Sequence, residues 1–166
     1  MEDGWDGDSL FNYCGYSQTR DCGPNGQRPT FSQRMADTMD WANDFFDYNS
    51  QGRFQLQPTI TAPVSVSDIT SSTCHNFSPL GSSSSSNTID VKAFAAAGYD
   101  YPPLTPSGVE FDFWWVGTPR CMGWGWGGIG RVGGPGLIVN RVSGSTASTF
   151  IHELGHNLGL NHCNSS

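Results

Sequence analysis

Three of the chain's four histidines fall within one short stretch, His152-Glu153-Leu154-Gly155-His156-Asn157-Leu158-Gly159-Leu160-Asn161-His162. On a helix of 3.6 residues per turn, His152 and His156 project from one face a turn apart, so both imidazoles reach a single metal ion. Glu153 stands about 100° round from His152, beside that metal face. Two ligands are too few for a tight catalytic zinc, which takes three protein groups and keeps one position for water. Gly159 supplies the remedy: a left-handed glycine ends the helix, and the chain turns back to bring His162 to the same ion. His152, His156 and His162 are therefore expected to bind Zn2+.

The chemistry expected of such a set is hydrolysis. A zinc ion lowers the pKa of a bound water, and Glu153 takes the proton as that water attacks a peptide carbonyl, then passes it to the departing amine. A single histidine is more often structural than a ligand, and a bare HExxH arises by chance in many chains. With Gly159 and His162 included, all five fixed positions match by accident in about one chain in 10⁵ of this length. The apolar residues Phe150, Ile151, Leu154 and Leu158 fall on the opposite side of the same helix, leaving a dry face for a core and a polar face for a cleft.

A helix of that kind needs a scaffold, and 166 residues suffice for one domain with a real core. Lys and Arg total 8 against 15 Asp and Glu. The acidic balance argues against nucleic acid as a partner, and otherwise serves solubility. No apolar run approaches the ~18 residues of a membrane span. The opening MEDGWDGDSLFNYCGYS lacks the basic start and apolar centre of a signal peptide. Five cysteines, Cys14, Cys22, Cys74, Cys121 and Cys163, accompany a single lysine; none forms a CxxC pair, so they read as a disulfide set with one sulfur over. Asn76 and Asn164 stand in N-glycosylation acceptor triplets, a slight pointer to an extracellular setting.

Along the chain, the segment to Pro29 reads as loops, with a short strand or a Cys14–Cys22 bridge within it. From Thr30, Phe31, Met35, Met39, Trp41, Ala42 and Phe45 recur at helical spacing, which predicts an amphipathic helix of about four turns capped by Thr30 and ending near Tyr48 and Asn49. Arg53 to Val66 alternates, but Pro58 and Pro63 confine it to an edge or broken strand. Ser82 to Ser86 is a loop, and Asn87 to Gly98 a short helix closed by glycine. Val109 to Val116 is the clearest strand, with Phe111, Phe113 and Trp115 alternating against Glu110, Asp112 and Trp114. Gly123 to Gly136 follows no regular pattern, and without a GK[ST] ending or a strand-to-helix context it is not a phosphate loop. Leu137 to Val139 reads as a short strand, and Ser143 to Thr146 offers caps for the last helix.

The HExxHxxGxxH stretch resembles the metzincin metallopeptidases. Together with AGYDY at Ala97 to Tyr101 and GWGWGGIGRVGGPG at Gly123 to Gly136, it is similar more narrowly to the gametolysin-like peptidases, which include cell-wall-lytic enzymes of green algae. The resemblance implies an α+β fold: a metzincin upper subdomain, with a twisted mixed β-sheet packed on two main helices, one from Thr30 and one carrying the histidines. It implies that the histidines bind zinc and that Glu153 is catalytic. It implies a secreted protein, a monomer, acting on protein or peptide substrate such as matrix glycoprotein. It also implies an edge strand, between Trp114 and Arg131, that pairs with extended substrate.

Metzincins continue past the third histidine to a methionine-containing turn. Here Met1, Met35, Met39 and Met122 all precede the motif, so the chain is expected to be a domain whose C-terminal subdomain is missing, and whose secretion signal lies outside it. Cys163 would pair either earlier in the chain or in the absent part. Among other residues, His75 reads as an exposed loop histidine, Cys121 as a structural cysteine, and Asp3, Asp6 and Asp8 point only faintly to calcium. Trp114, Trp115, Trp124 and Trp126 divide between core and a substrate or sugar cleft. The alternative to an endopeptidase is a non-catalytic zinc-binding or matrix-interaction module derived from a metzincin.

Overall fold

The computed structural model describes residues 30–81, 87–103, 108, 111–140 and 146–162. The expectations that concern the segment to Pro29 with Cys14, Cys22 and the first aspartates, the serine run, Val109 and Glu110, Ser143 to Ser145, Cys163 and Asn164 lie outside these residues.

Helix α1, Phe31–Ser50, opens as its sequence predicts. The Thr30 hydroxyl accepts from the Gln33 amide at 3.2 Å, and the Gln33 side chain accepts from the Thr30 amide at 2.7 Å, so two orphan amides are satisfied reciprocally. The helix is longer than four turns and stops where Gln51 and Gly52 turn left-handed, at φ 57° and 78°. Its buried face also differs from the apolar list. Ala42 is fully buried and Met39 and Phe46 pack beside it, whereas Trp41 and Phe45 are exposed.

Arg53 to Val66 forms no strand, and its amides show why. Arg53 and Phe54 donate to the Ser50 hydroxyl, and Leu56 donates to the Asn43 side chain at 2.7 Å. Side chains of α1 thus take donors that a neighbouring strand would otherwise have to accept.

The described residues contain a three-stranded mixed sheet in the order β1-β3-β2. Strand β1, Trp114–Thr118, overlaps the expected Val109 to Val116 but starts after Phe111 to Phe113 and runs on to Thr118. It runs parallel to β3, Gly136–Asn140, and β2, Gly128–Gly130, runs antiparallel to β3 on the other side. The glycine-rich stretch therefore contains an edge strand, which its lack of side chains conceals.

Strand β3 is buried throughout, and its alternation serves two cores. Leu137 and Val139 pack with Ala42, Phe150 and Leu154, joined by Phe113 and Trp115. Ile138 faces the other way, to Ile89, Cys74 and Cys121. Each fully buried Leu or Ile side chain contributes about 1.5–3 kcal/mol. Cys74 and Cys121 form a disulfide that closes the second core, so Cys121 has the structural role expected of it.

Helix α2, Ile89–Ala96, ends at the left-handed Gly98, as its sequence predicts. Near its start the fully buried Asp90 carboxylate accepts from the Gly81 and Val91 amides, the Thr88 hydroxyl and the Tyr101 hydroxyl. The last helix, α3, spans Thr146–Asn157 and packs on α1, β2 and β3. The architecture is α+β, a mixed sheet with α1 and α3 on one face, the class that the resemblance implies.

Candidate metal centre

Helix α3 buries Phe150 and Leu154 and presents His152 and His156 outward, His152 exposed and His156 half-buried. Leu158, counted on the dry face, is 41 % exposed because the helix has already ended; buried Asn157 holds that end instead. The turn is made by Gly159 at φ 91°. Gly159 donates to the His156 carbonyl at 2.8 Å and Leu160 to the Gly155 carbonyl at 2.9 Å, the paired bonds of a Schellman ending. The reversal carries His162 back over the helix.

Three ring nitrogens converge there. His162 Nε2 lies 2.9 Å from His152 Nε2 and 3.0 Å from His156 Nε2, and one nitrogen from each ring falls within 4.8 Å of the others. His156 Nδ1 sits 2.7 Å from the Leu160 carbonyl. A carbonyl only accepts, so Nδ1 carries a hydrogen, and in the neutral ring Nε2 keeps a lone pair. A hydrogen on His162 Nε2 serves only one of its two neighbours at a time. A cation serves all three lone pairs together.

Tetrahedral zinc with bonds of ~2.0–2.1 Å spaces its ligand nitrogens about 3.3 Å apart, a few tenths beyond the separations seen. The donor set, its geometry and the carbonyl that orients one imidazole from behind all fit a metal ion. Among the described residues these three histidines are the group able to hold one. His75 stands apart in the turn Cys74–Asn76, exposed, with its ring against Gly123.

Glu153 does not line an open polar face. It is only 6 % exposed, because β2 lies across it: the backbone at Gly128 faces its side chain and that of Thr149, and Gly130 faces its own backbone. The carboxyl group is thus held between an edge strand and the helix, one residue from a histidine of the cluster.

The β2–β3 turn is fastened to the end of α3. Asn157 Nδ2 donates to the carbonyls of Arg131 and Gly136, each at 3.0 Å, and the Gly133 amide donates to the His156 carbonyl at 2.9 Å. Arg131 in turn donates from its guanidinium to the Gly81 carbonyl at 2.7 Å, beside the Asp90 and Tyr101 cluster. At the other end of the hairpin, Asn140 accepts from the Cys121 amide at 2.8 Å and donates to the Trp126 carbonyl at 3.1 Å. The Trp124 and Trp126 rings stack there, centroids 4.2 Å apart, against the second core. Gly128, Gly130, Asn140 and Asn157 were not among the residues singled out from sequence. The signal for the glycines is their spacing of two, which puts both on one face of a strand.

No curated protein and no solved structure matches the chain. A family model described as Peptidase M66 matches residues 118–166, a stretch that contains β2, β3, α3 and all three histidines. Over that stretch the chain is similar to a peptidase family.

Proposed function

We propose that the chain is a zinc-dependent endopeptidase domain in which His152, His156 and His162 hold the metal and Glu153 is the general base and acid. The observation that carries this reading is the convergence of the three Nε2 atoms, with the glutamate that follows His152 buried under an edge strand. Zinc held there supplies Lewis acidity for a peptide carbonyl and acidifies water. Glu153 receives the proton of the attacking water and delivers it to the leaving amine, a role that needs its carboxylate held steady within hydrogen-bond reach.

Strand β2 lies within the span expected to contain a substrate-pairing edge. Among the described residues it pairs on one side only, with β3, so its other edge offers backbone groups to an extended peptide. The similarity to a peptidase family supports a protein substrate. The Cys74–Cys121 disulfide supports an oxidising, extracellular compartment. The finer assignment, a gametolysin-like metzincin acting as a monomer on cell-wall or matrix glycoprotein, rests on the motif resemblance.

The test is titration with Zn2+ or Co2+, followed by casein cleavage by the wild type and by Glu153→Gln. One bound ion, lost with His156→Ala, and cleavage that disappears with Glu153→Gln are expected. Equal cleavage by both proteins sinks the assignment of Glu153, and metal binding without cleavage by either favours the non-catalytic module.

A further inference from the structure

The glycines of β2 call for an explanation, because glycine weakens a strand and neither Gly128 nor Gly130 has a left-handed φ. Their torsions are open to any residue. What they provide is room. A Cβ on Gly128 would stand 2.7 Å from Glu153 Cγ, 2.7 Å from Thr149 Cγ2 and 2.8 Å from Glu153 Oε1. A Cβ on Gly130 would meet the Glu153 carbonyl oxygen, and would lie 3.0 Å and 3.1 Å from its carbonyl carbon and Cα. All of these are closer than carbon atoms pack.

The two neighbouring glycines behave differently. A Cβ on Gly127 would come no nearer than 3.8 Å to Thr149, and one on Gly125 would meet nothing within 4 Å. Neither is left-handed. Between Gly125 and Gly130 the steric requirement for glycine therefore falls on the two alternate positions that face Glu153.

We propose that Gly128 and Gly130 are positioning residues for Glu153, setting the depth at which its carboxyl group lies beneath the edge strand. Gly130 sets the separation of the two backbones. Gly128 leaves the slot, bounded on its far side by Thr149, in which the Glu153 side chain rests. Because Gly128 faces the flexible part of Glu153 and Gly130 faces its backbone, the two positions have separable effects. A methyl group at 128 presses on the side chains of Glu153 and Thr149 and displaces the carboxyl group, whereas one at 130 meets backbone and lifts the strand from the helix. The histidines are untouched by the first change. This inference deepens the reading of Glu153 as the base and rests on it.

The test is an alanine series at Gly125, Gly127, Gly128 and Gly130 in the full chain, with Glu153→Gln beside it. The chain has three glutamates, Glu2, Glu110 and Glu153, so 13C labelling at the glutamate carboxyl gives three resonances, and Glu153→Gln assigns one of them. At fixed pH, Gly128→Ala is expected to move the Glu153 resonance and lower kcat about 10- to 100-fold, the scale of a ~1 Å misplacement. Co2+ affinity and KM stay within about twofold. Gly125→Ala and Gly127→Ala match the wild type, and Gly130→Ala lowers the unfolding midpoint as well as kcat.

An unmoved Glu153 resonance in Gly128→Ala, or an equal effect from Gly127→Ala, overturns the proposal even in a preparation without peptidase activity. If Glu153→Gln abolishes cleavage and Gly128→Ala does not lower kcat, the positioning role fails and the base assignment stands. If Glu153→Gln cleaves normally while Gly128→Ala moves the resonance, the base assignment fails and the steric relationship stands.

Discussion

His156 turns its Nδ1 hydrogen onto the carbonyl oxygen of Leu160, 2.7 Å away across the reversal at Gly159. One bond thereby ties the helix, the turn and the tautomer together. The carbonyl is presented only because the chain has doubled back, and the doubling back is what brings His162 into reach.

Gly159→Ala tests that dependence. Nothing lies within 4 Å of the added carbon, so the cost is conformational alone, about 1–2 kcal/mol for a side chain held in the left-handed region. A free turn can relax, whereas one engaged with metal cannot. Zn2+ or Co2+ affinity is therefore expected to fall roughly 5- to 30-fold, measured by calorimetric titration. Unchanged affinity would show that the turn does not set the position of His162.

Asn157→Ala removes the two side-chain bonds from α3 to the hairpin; the Arg131 carbonyl keeps the Gly134 amide, the Gly136 carbonyl keeps the Arg131 amide, and the Gly133 amide keeps the His156 carbonyl. The expected loss is about 1–3 kcal/mol of folding stability in urea. Asn157→Asp loses more, since a carboxylate would face two carbonyl oxygens. A change below about 0.5 kcal/mol in either variant would show that the hairpin is held by other contacts.

Replacing Cys74 and Cys121 with serine opens a loop of sequence separation 47. Chain-entropy reasoning sets the cost near 4 kcal/mol, within a usual range of 2–5. Because Asn140 still accepts from the Cys121 amide, the path into β2 should survive, and metal affinity with it. Thermal unfolding with and without a thiol reductant measures the first effect, and metal titration of the double variant the second. A stability loss with intact metal binding is expected.

Tyr101 carries the pH prediction. Burial, and then the Asp90 carboxylate beside it, push its phenol above the ordinary value of 10.0. The folded state therefore holds the proton more tightly than the unfolded one. Its contribution to stability is complete below pH 10 and is lost as the pH rises beyond 10 toward the raised value. Tyr101 should resist ionisation in an ultraviolet titration, and Tyr101→Phe should remove that late step. A titration identical in the two proteins would disprove the assignment.

Much of the candidate site is local, and so is legible without a fold. The spacing of His152 and His156 is the pitch of a helix, Gly159 marks its end, and Thr30 marks the start of another. Each of these relationships spans a few residues, where backbone geometry leaves few choices. Arg53 to Val66 shows the limit of such reading: its alternation fits a strand, but the decision lay with Ser50 and Asn43, whose side chains on α1 take three of its amides.

By itself, the sequence determined which atoms are offered for metal binding and which turn gathers them, because torsions and periodicity act over a single helix and its cap. Tertiary structure alone decided that Leu137 and Ile138 serve opposite cores and that Cys74 pairs with Cys121. It also decided that part of a glycine-rich stretch becomes the strand covering Glu153. Those outcomes depend on contacts between residues tens of positions apart, and a glycine records only that something comes close, not what.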